Sequence, residues 1–471
     1  MSTIVKRLLR SSDDLATKGE LAKEADVPSI GEHQPRNPYL TEIQVLQNHS
    51  DIVRLLHPVD SSRFVSAGDD GTAILWHTQT GRRHFTFSGH DRPITAMLLL
   101  TVQKTSFHDD DESSAALRDP ILLTASSDKH ICMWNVNTGQ CLQTITDLHS
   151  SVKCMVELRH GMWCSGGHDL SLWSHQGELL HRLDRVTAES DISLVLSIPN
   201  EKLVAVSDKT LLVFKVTSPM ETGGVYQLEE YGNPHTQHRE AIQSLVNVSD
   251  SVFATGSLDG TIVLWASARS VNFTRKLSSS ARSPQGINHL YPWSIQCVVP
   301  VEERYLFAAI GAGFWLYDVV TGKCLAKKVA AHFSKIQHMV LLAGGSFLAT
   351  CSADGTIRLW GSPGVTAAKT EETTEEQKPR HSKQIDRFMG ISPRKEDTKG
   401  KSKSVDQMQF QPTLLGELLG HAGTVQMLLD CGGDGLASCG TDGLVILWKD
   451  GAVQSEHRNE FIREMLQLGV S

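Results

Sequence analysis

One short signal recurs eight times along the 471 residues of this chain. A turn of small residues, usually with an aspartate, is followed by an aromatic residue that ends a short apolar run, usually six residues later. The clearest copies are Asp70/Trp76, Asp128/Trp134, Asp259/Trp265, Asp354/Trp360 and Asp442/Trp448. This repetition constrains the fold more than any other property, because one such unit cannot bury its apolar face alone.

Each repeat contains three short apolar runs separated by turns, and a fourth run leads into the next repeat. In the first repeat the fourth run is His84–Phe87. Short strands joined by small-residue turns at regular spacing are typical of propeller blades. We therefore predict an all-β, eight-bladed β-propeller over residues 39–451. A seven-bladed ring, with the fourth or sixth repeat as an irregular excursion, is the alternative.

Five repeats agree at four positions: a histidine before the first strand, a serine or threonine in the second, the turn aspartate and the final tryptophan. These residues are His49, Ser66, Asp70, Trp76; His90, Thr124, Asp128, Trp134; His238, Thr255, Asp259, Trp265; His332, Thr350, Asp354, Trp360; and His421, Ser438, Asp442, Trp448. The pattern resembles the WD40 family. That resemblance implies a hydrogen-bonded chain through the four side chains, which holds the turn on the blade. Buried polar groups are tolerated when they are satisfied in this way.

Three repeats depart from the pattern. The third ends at Trp173 after a shortened turn, and the fourth ends at Phe214 instead of a tryptophan. The sixth has Gly311 in place of the aspartate and ends at Tyr317. We expect these three blades to depend on packing alone.

A propeller must close its last blade, because an open strand edge pairs with other chains. Residues 39–46 alternate like a strand, and we predict that they complete the eighth blade beside Leu444–Trp448. Residues 452–471 then have no blade to join. Their apolar residues recur at helical spacing and predict a short amphipathic α-helix: Phe461, Ile462, Met465, Leu466 and Leu468. Such a helix is marginal alone, so it docks on the propeller or binds a partner's groove, and we favour the partner.

Two other segments lie outside the predicted blades. Residues 1–36 are predicted to be a flexible N-terminal segment. Residues 361–412 form a long loop in the seventh blade, rich in Lys, Glu, Ser and Thr, and we predict that it is disordered. Its apolar island contains Ile385, Phe388 and Met389. This island is either a short motif that binds a partner or part of a spacer.

Composition and motifs exclude several functions. A net charge of −8 argues against nucleic acid as the main partner, and no apolar run is long enough to insert into a membrane. The sequence has no nucleophile elbow, phosphate loop, zinc-protease or kinase motif, and its nine cysteines form no zinc-binding cluster. Irregular cysteine spacing suits reduced thiols in the cytoplasm. We therefore expect no enzyme activity, no cofactor and no metal.

Two binding functions compete. A WD40 substrate receptor of a cullin-type ubiquitin ligase usually carries Trp-Asp-x-Arg at the end of a blade. The matching tetrapeptides here, residues 76–79, 134–137 and 265–268, lack the arginine. This absence argues against a ligase receptor and favours the alternative, a constitutive subunit of an assembly.

A closer resemblance covers residues from about Ile30 to Gly451. Segments such as Ile30–Glu32, Asn37–Tyr39 and Ser66–Gly71 are similar to one branch of the WD40 family. This resemblance implies a non-catalytic scaffold in a three-protein unit with two DENN-domain proteins, a longin/DENN heterodimer. The partners would regulate small GTPases of the Rab or Arf type, in autophagy and at the lysosome surface.

The same resemblance implies how the partners bind. The N-terminal strand region and the C-terminal helix would hold a DENN-domain partner. In relatives the blade-seven loop looks like the element that reaches a lysosomal cationic amino-acid transporter. This chain departs from them there, because Phe388 is the only aromatic residue between Trp360 and Phe410.

Overall fold

The computed structural model describes residues 42–100, 119–184, 186, 190–218, 225–267, 270–278, 293–342, 347–361, 412–451, 454, 455 and 459. Within these ranges the chain forms 32 strands arranged as eight four-stranded antiparallel sheets. Seven sheets use four consecutive strands, whereas the last combines the final three strands of the chain with the first one. The prediction of eight blades is confirmed, and the seven-bladed alternative is wrong.

The strands follow the chain in order. Blades one to four comprise β2 (Val53–Pro58), β3 (Arg63–Gly68), β4 (Thr72–His77), β5 (Arg83–Ser88); β6 (Ile94–Leu100), β7 (Ile121–Ser126), β8 (Ile131–Asn135), β9 (Cys141–Ile145); β10 (Cys154–Glu157), β11 (Trp163–Gly166), β12 (Leu170–Trp173), β13 (Leu179–Leu183); and β14 (Ile192–Ile198), β15 (Lys202–Ser207), β16 (Thr210–Thr217), β17 (Gln227–Glu230). Blades five to eight comprise β18 (Ile242–Ser249), β19 (Val252–Ser257), β20 (Thr261–Ala266), β21 (Asn272–Ser278); β22 (Ile295–Val301), β23 (Tyr305–Ile310), β24 (Gly313–Asp318), β25 (Cys324–Lys328); β26 (Ile336–Leu342), β27 (Phe347–Ser352), β28 (Thr356–Gly361), β29 (Thr413–Leu419); and β30 (Val425–Asp430), β31 (Leu436–Gly440), β32 (Val445–Lys449), β1 (Glu42–Leu46).

The closing strand, β1, pairs antiparallel with β32 from Glu42 opposite Lys449 to Leu46 opposite Val445. It takes the outermost place in blade eight. The predicted closure of the ring by an N-terminal strand is therefore confirmed.

The core lies between neighbouring blades. In the described part of the chain, buried apolar side chains form eight clusters, one at each junction between two blades. The junction of blades eight and one contains Leu46 from the closing strand beside Val53 and Trp76. Successive side chains of a strand point to opposite faces of its sheet. Each blade therefore packs apolar side chains against the blade on either side of it.

We call the end of the blades that carries the histidine and aspartate turns the upper face. The turns that join the third and fourth strands lie at the opposite, lower face. After β32, the described residues Gly451, Gln454, Ser455 and Asn459 are helical, and the Gln454 N–H donates to the Asp450 carbonyl at 2.9 Å. Residues 1–36, residues 362–411 of the blade-seven loop, and the tail beyond Asn459 lie outside the described residues. No helix in the described ranges is long and apolar enough to cross a membrane.

Candidate partner-binding site at the ring closure

Five blades contain a chain of hydrogen bonds from tryptophan to aspartate. In blade seven, the Trp360 indole N–H donates to Thr350 Oγ1 at 2.9 Å, and His332 Nε2 lies 2.7 Å from the same hydroxyl. His332 Nδ1 lies 3.3 Å from Asp354 Oδ2, which also accepts from the Phe333 main-chain N–H at 2.9 Å. These bonds connect the turn before β26 to β27, which carries Thr350, and to β28, which carries Trp360.

The same side chains meet in four other blades. The hydroxyl lies 2.8–2.9 Å from both the histidine Nε2 and the indole nitrogen in each of them. The histidine–aspartate distance is 2.8–3.0 Å in blades one, two and eight. In blade five it is 3.6 Å, and the Thr261 hydroxyl lies 3.2 Å from His238 Nδ1. The sets are His49, Ser66, Asp70 and Trp76; His90, Thr124, Asp128 and Trp134; His238, Thr255, Asp259 and Trp265; and His421, Ser438, Asp442 and Trp448.

Hydrogen bonds keep the turn aspartates ionised. Burial alone would raise the pKa of Asp70, but bonds from His49 and from the N–H groups of Thr72 and Ser50 lower that pKa to about 2. The same balance lowers the pKa of the equivalent carboxyls Asp128, Asp259, Asp354 and Asp442. Each turn therefore carries a carboxylate at neutral pH.

The blade-seven histidine is neutral. Burial lowers the pKa of His332 to about 4, although Asp354 acts in the opposite direction. From these partners we assign the proton to Nδ1, which donates to the Thr356 hydroxyl at 3.0 Å and to Asp354 Oδ2 at 3.3 Å, while Nε2 accepts from the Thr350 hydroxyl. In this blade the four groups satisfy one another, so their arrangement holds a turn in place and leaves no base poised for catalysis.

Blade three keeps part of this arrangement, so the expectation that it depends on packing alone is wrong. The Trp173 indole donates to Ser165 Oγ at 2.9 Å, and His149 Nδ1 lies 2.9 Å from Asp169 Oδ2. The His149 side chain is 56% exposed, however, and its Nε2 accepts from Arg182 instead of the serine. Asp169 precedes Trp173 by four positions, whereas the regular blades have an offset of six. The shortened turn predicted that the bonds would be lost, but Ser165 and Asp169 keep them.

One group near blade three has the composition of a metal site. His149, Asp169 and Asp184 place a ligand atom each within 4.8 Å of one another. Both ring nitrogens of His149 already have partners, Asp169 at Nδ1 and the Arg182 guanidinium at Nε2. The positive charge of the Arg182 guanidinium, beside His149, would also repel a metal cation at this place. We therefore assign this group to the fold of blade three.

Blades four and six lack both partners of the indole–hydroxyl bond, because neither the tryptophan nor the serine or threonine is present at its position. In blade seven, Thr350 lies two residues beyond Leu348, the partner of Trp360. The corresponding residue in blade four is Ala205, two beyond the partner of Phe214, and in blade six it is Ala308, two beyond the partner of Tyr317. The side chain of Phe214 has no polar atom to satisfy, so Ala205 at the hydroxyl position leaves nothing unpaired. Tyr317 is 3% exposed, and burial raises the pKa of its hydroxyl.

A buried lysine fastens the closing strand. Lys449 is 1% exposed, and its Nζ donates to Gln44 Oε1 at 2.8 Å and to the Gln79 carbonyl at 2.5 Å. The Gln44 amide donates to the Thr80 carbonyl at 2.7 Å. Gln79 and Thr80 belong to the hairpin between β4 and β5. These bonds therefore join the closing strand to blade eight on one side and to blade one on the other.

The closing strand also presents apolar surface. Ile43 is 43% exposed and Val45 is 46% exposed. They lie opposite Trp448 and Ile446, which pack in the junction between blades seven and eight. Opposite residues of an antiparallel pair share one face, so Ile43 and Val45 extend that junction to the rim of the ring. The chain becomes helical two residues after the strand that they pair with.

The other predicted partner-binding residues stay predictions. Those of the tail and of the blade-seven loop lie outside the described residues: Phe461, Ile462, Met465, Leu466, Leu468, Ile385, Phe388 and Met389. Within the described chain, the ring closure combines the closing strand, the lysine that fastens it and the start of the C-terminal helix.

Eight four-stranded blades and their bonded turns define this chain as a WD40 β-propeller. It belongs to the WDR41 β-propeller family, whose model matches residues 7–458. The sequence is 31% identical to WD repeat-containing protein 41 of Homo sapiens over 456 residues, which covers 93% of each chain. It is also 31% identical to WD repeat-containing protein 41 of Mus musculus over 451 residues, again 93% of each chain.

A solved structure supports the fold alone. The crystal structure of the computationally designed Ika8 protein superposes with a TM-score of 0.57 at 19% identity, over 86% of this chain and 98% of that one. The family membership and the propeller together support a role as a scaffold for protein interactions. Proteins of this class are typically non-catalytic.

Proposed function

We propose that this chain is the non-catalytic scaffold subunit of a complex with two DENN-domain proteins, a longin/DENN heterodimer that regulates small GTPases. In this proposal the complex acts in autophagy and is recruited from the cytoplasm to the lysosome surface. Membership of the WDR41 family supports the scaffold role within this proposal. The ring closure supports the surface that the partner would use.

The observation that carries the proposal is the closure by β1. Because β1 fills the outermost place of blade eight, the chain after β32 is not needed to complete a sheet. Gly451 and Gln454 are already helical there. A helix that completes no blade can bind a groove of another protein through its apolar face.

The tail and the closing strand would form one interface. Ile43 and Val45 present half-exposed apolar surface on β1, and β1 pairs directly with the strand that precedes the helix. Phe461 and Met465 lie four positions apart and would share one helical face. Burying a few large apolar side chains supplies most of the affinity of such an interface.

The test compares two double variants of the full chain. Phe461→Asp with Met465→Asp places two carboxylates on the apolar face of the predicted helix. Gln467→Asp with Ser471→Asp adds the same charge on the opposite side of the predicted helix. We expect the first pair to lower affinity for the purified DENN-domain heterodimer by about a hundredfold or more. The control pair should change it by less than about threefold.

The closing strand is tested by Ile43→Thr with Val45→Thr, which keeps β-branched residues in the strand. We expect about tenfold weaker binding with an unchanged unfolding midpoint. Isothermal calorimetry gives the affinities. Equal binding by the wild type and both tail variants would reject the tail as the anchor. Failure of the wild-type chain to bind the heterodimer would reject the proposed function itself.

Recruitment to lysosomes is a separate part of the proposal. The loop residues Ile385, Phe388 and Met389 would reach a cationic amino-acid transporter. Deletion of residues 380–395 should then abolish lysosomal location while the three-protein complex stays intact. Unchanged location after the deletion would leave the loop as a spacer.

A further inference from the structure

Phe333 is the most exposed large apolar side chain among the described residues, at 89%. It follows His332 in the turn between β25 and β26, on the upper face of blade seven. The equivalent residues of four other blades also donate a main-chain N–H to the turn aspartate, and they are Ser50, Asp91, Arg239 and Ala422. The fold therefore needs only the N–H at this position, and an aromatic ring in water needs another explanation.

The ring of Phe333 lies beside a cation of its own blade. The Arg358 guanidinium carbon lies 5.3 Å from the ring centroid. Arg358 is itself fixed, because its Nε donates to Glu417 at 2.8 Å and its Nη1 donates to the Ala331 carbonyl.

Two further apolar side chains lie at the same upper end of the blades. Val329 follows the last residue of β25 and is 49% exposed. Leu419 ends β29 opposite Thr356 and is 57% exposed. Thr356 precedes Arg358 by two residues on the same strand, so all these residues belong to one rim of blades six and seven. We call Val329, Phe333 and Leu419 the upper apolar patch.

The charged groups around the upper apolar patch are mainly cationic. Lys328 lies over the Trp360 ring at 5.4 Å, and Lys335 follows Phe333 by two residues. The two nearby carboxylates already have partners, because Glu417 pairs with Arg358 and Asp354 accepts bonds from His332 and from Phe333. Neither lysine forms an ion pair with a described carboxylate. This basic rim contrasts with the net charge of −8 for the whole chain.

We propose that the upper apolar patch binds a segment of a partner protein that presents an apolar side chain flanked by acidic residues. The apolar side chain would pack on Phe333 between Val329 and Leu419. The flanking carboxylates would approach Lys328 and Lys335, which favours acidic segments over basic ones. This surface is separate from the ring closure and does not depend on the function proposed above.

The test selects binders from a phage-displayed library of random peptides of about twelve residues on the purified full chain. The enriched peptides are synthesised, and their affinities are measured by fluorescence anisotropy. We expect an apolar residue beside Asp or Glu in the enriched peptides. Phe333→Ser should weaken their binding by about tenfold or more, and Lys335→Glu by about threefold. Ser50 occupies the same position in blade one, so Phe333→Ser should fold normally.

Matched controls come from the lower face. Val320 is 68% exposed in the turn between β24 and β25, and Lys323 is exposed in the same turn. Val320→Ser and Lys323→Glu should leave peptide binding unchanged. Enrichment of basic peptides, or equal losses for Phe333→Ser and Val320→Ser, would overturn the proposal. Sedimentation tests whether this chain forms a dimer. A dimer that dissociates in the Phe333→Ser variant would also overturn the proposal, because the patch would then bind a second copy of the chain.

Discussion

Blades six and seven are neighbours that hold the same four-stranded sheet by different means. Blade seven shares one hydroxyl, that of Thr350, between the Trp360 indole and His332. Blade six has Ala308 at that position, buries Tyr317, and packs the rings of Trp293 and Trp315 edge to face at 6.4 Å. The bonded chain is therefore not needed to form a blade. It fixes the upper turn, which in blade seven carries Phe333.

The largest effect should follow removal of the shared hydroxyl. Thr350→Val keeps the side-chain shape but leaves the Trp360 N–H and His332 Nε2 buried without a partner. We expect the free energy of unfolding to fall by about 3 kcal/mol, measured by urea denaturation. The matched change in blade six, Ala308→Ser, removes no partner and should cost about 1 kcal/mol. Equal losses in the two blades would contradict the contrast between them.

An intermediate effect should come from acid. The pKa of His332 is lowered to about 4 in the folded chain by burial, from 6.5 for an exposed histidine. Between these values the unfolded chain binds the proton and the folded chain does not, so stability falls as pH drops from 6.5 towards 4. His332 should account for about 2.5 kcal/mol of the loss between pH 7 and pH 4.5. Asp70, with a pKa of about 2, adds its own loss only at lower pH.

The variant His332→Gln isolates this histidine from the others. Denaturation curves at pH 7 and pH 4.5 give the pH-dependent loss for the wild type and for the variant. The variant is less stable at pH 7 but should lose about 2.5 kcal/mol less on acidification. An identical pH dependence in both chains would show that His332 is protonated in the folded state at pH 4.5.

The smallest effect should come from blade three. His149 is 56% exposed and bonds to Arg182 instead of the Ser165 hydroxyl, so water can replace it. We expect His149→Ala to cost less than about 1 kcal/mol. His421→Ala in blade eight, where the imidazole is buried, should cost about 2 kcal/mol by the same measurement. A cost for His149→Ala as large as that for His421→Ala would place blade three with the regular blades.

Local signals explain what the sequence could predict. The number of blades and the closing strand follow from strand alternation and from the spacing of aspartate and tryptophan, which lie within a few residues of each other. The short turn of blade three is visible in the sequence, but the bonds of Ser165 and Asp169 that survive it depend on the folded geometry. The bonds of Lys449 were not predictable, because Gln44 is 405 residues away and no local pattern marks the pair. Phe333 was missed because exposure of a loop residue depends on the tertiary fold.

The pairing of β1 with β32 has a consequence for synthesis of the chain. Its two strands leave the ribosome about 400 residues apart, and translation of that length takes on the order of 20–80 s. Throughout that interval Glu42–Leu46 lacks its native neighbour, and the apolar side chains of Ile43 and Val45 are available to other nascent polypeptides. Seven blades can form one after another, whereas the ring itself can form only after translation reaches Lys449.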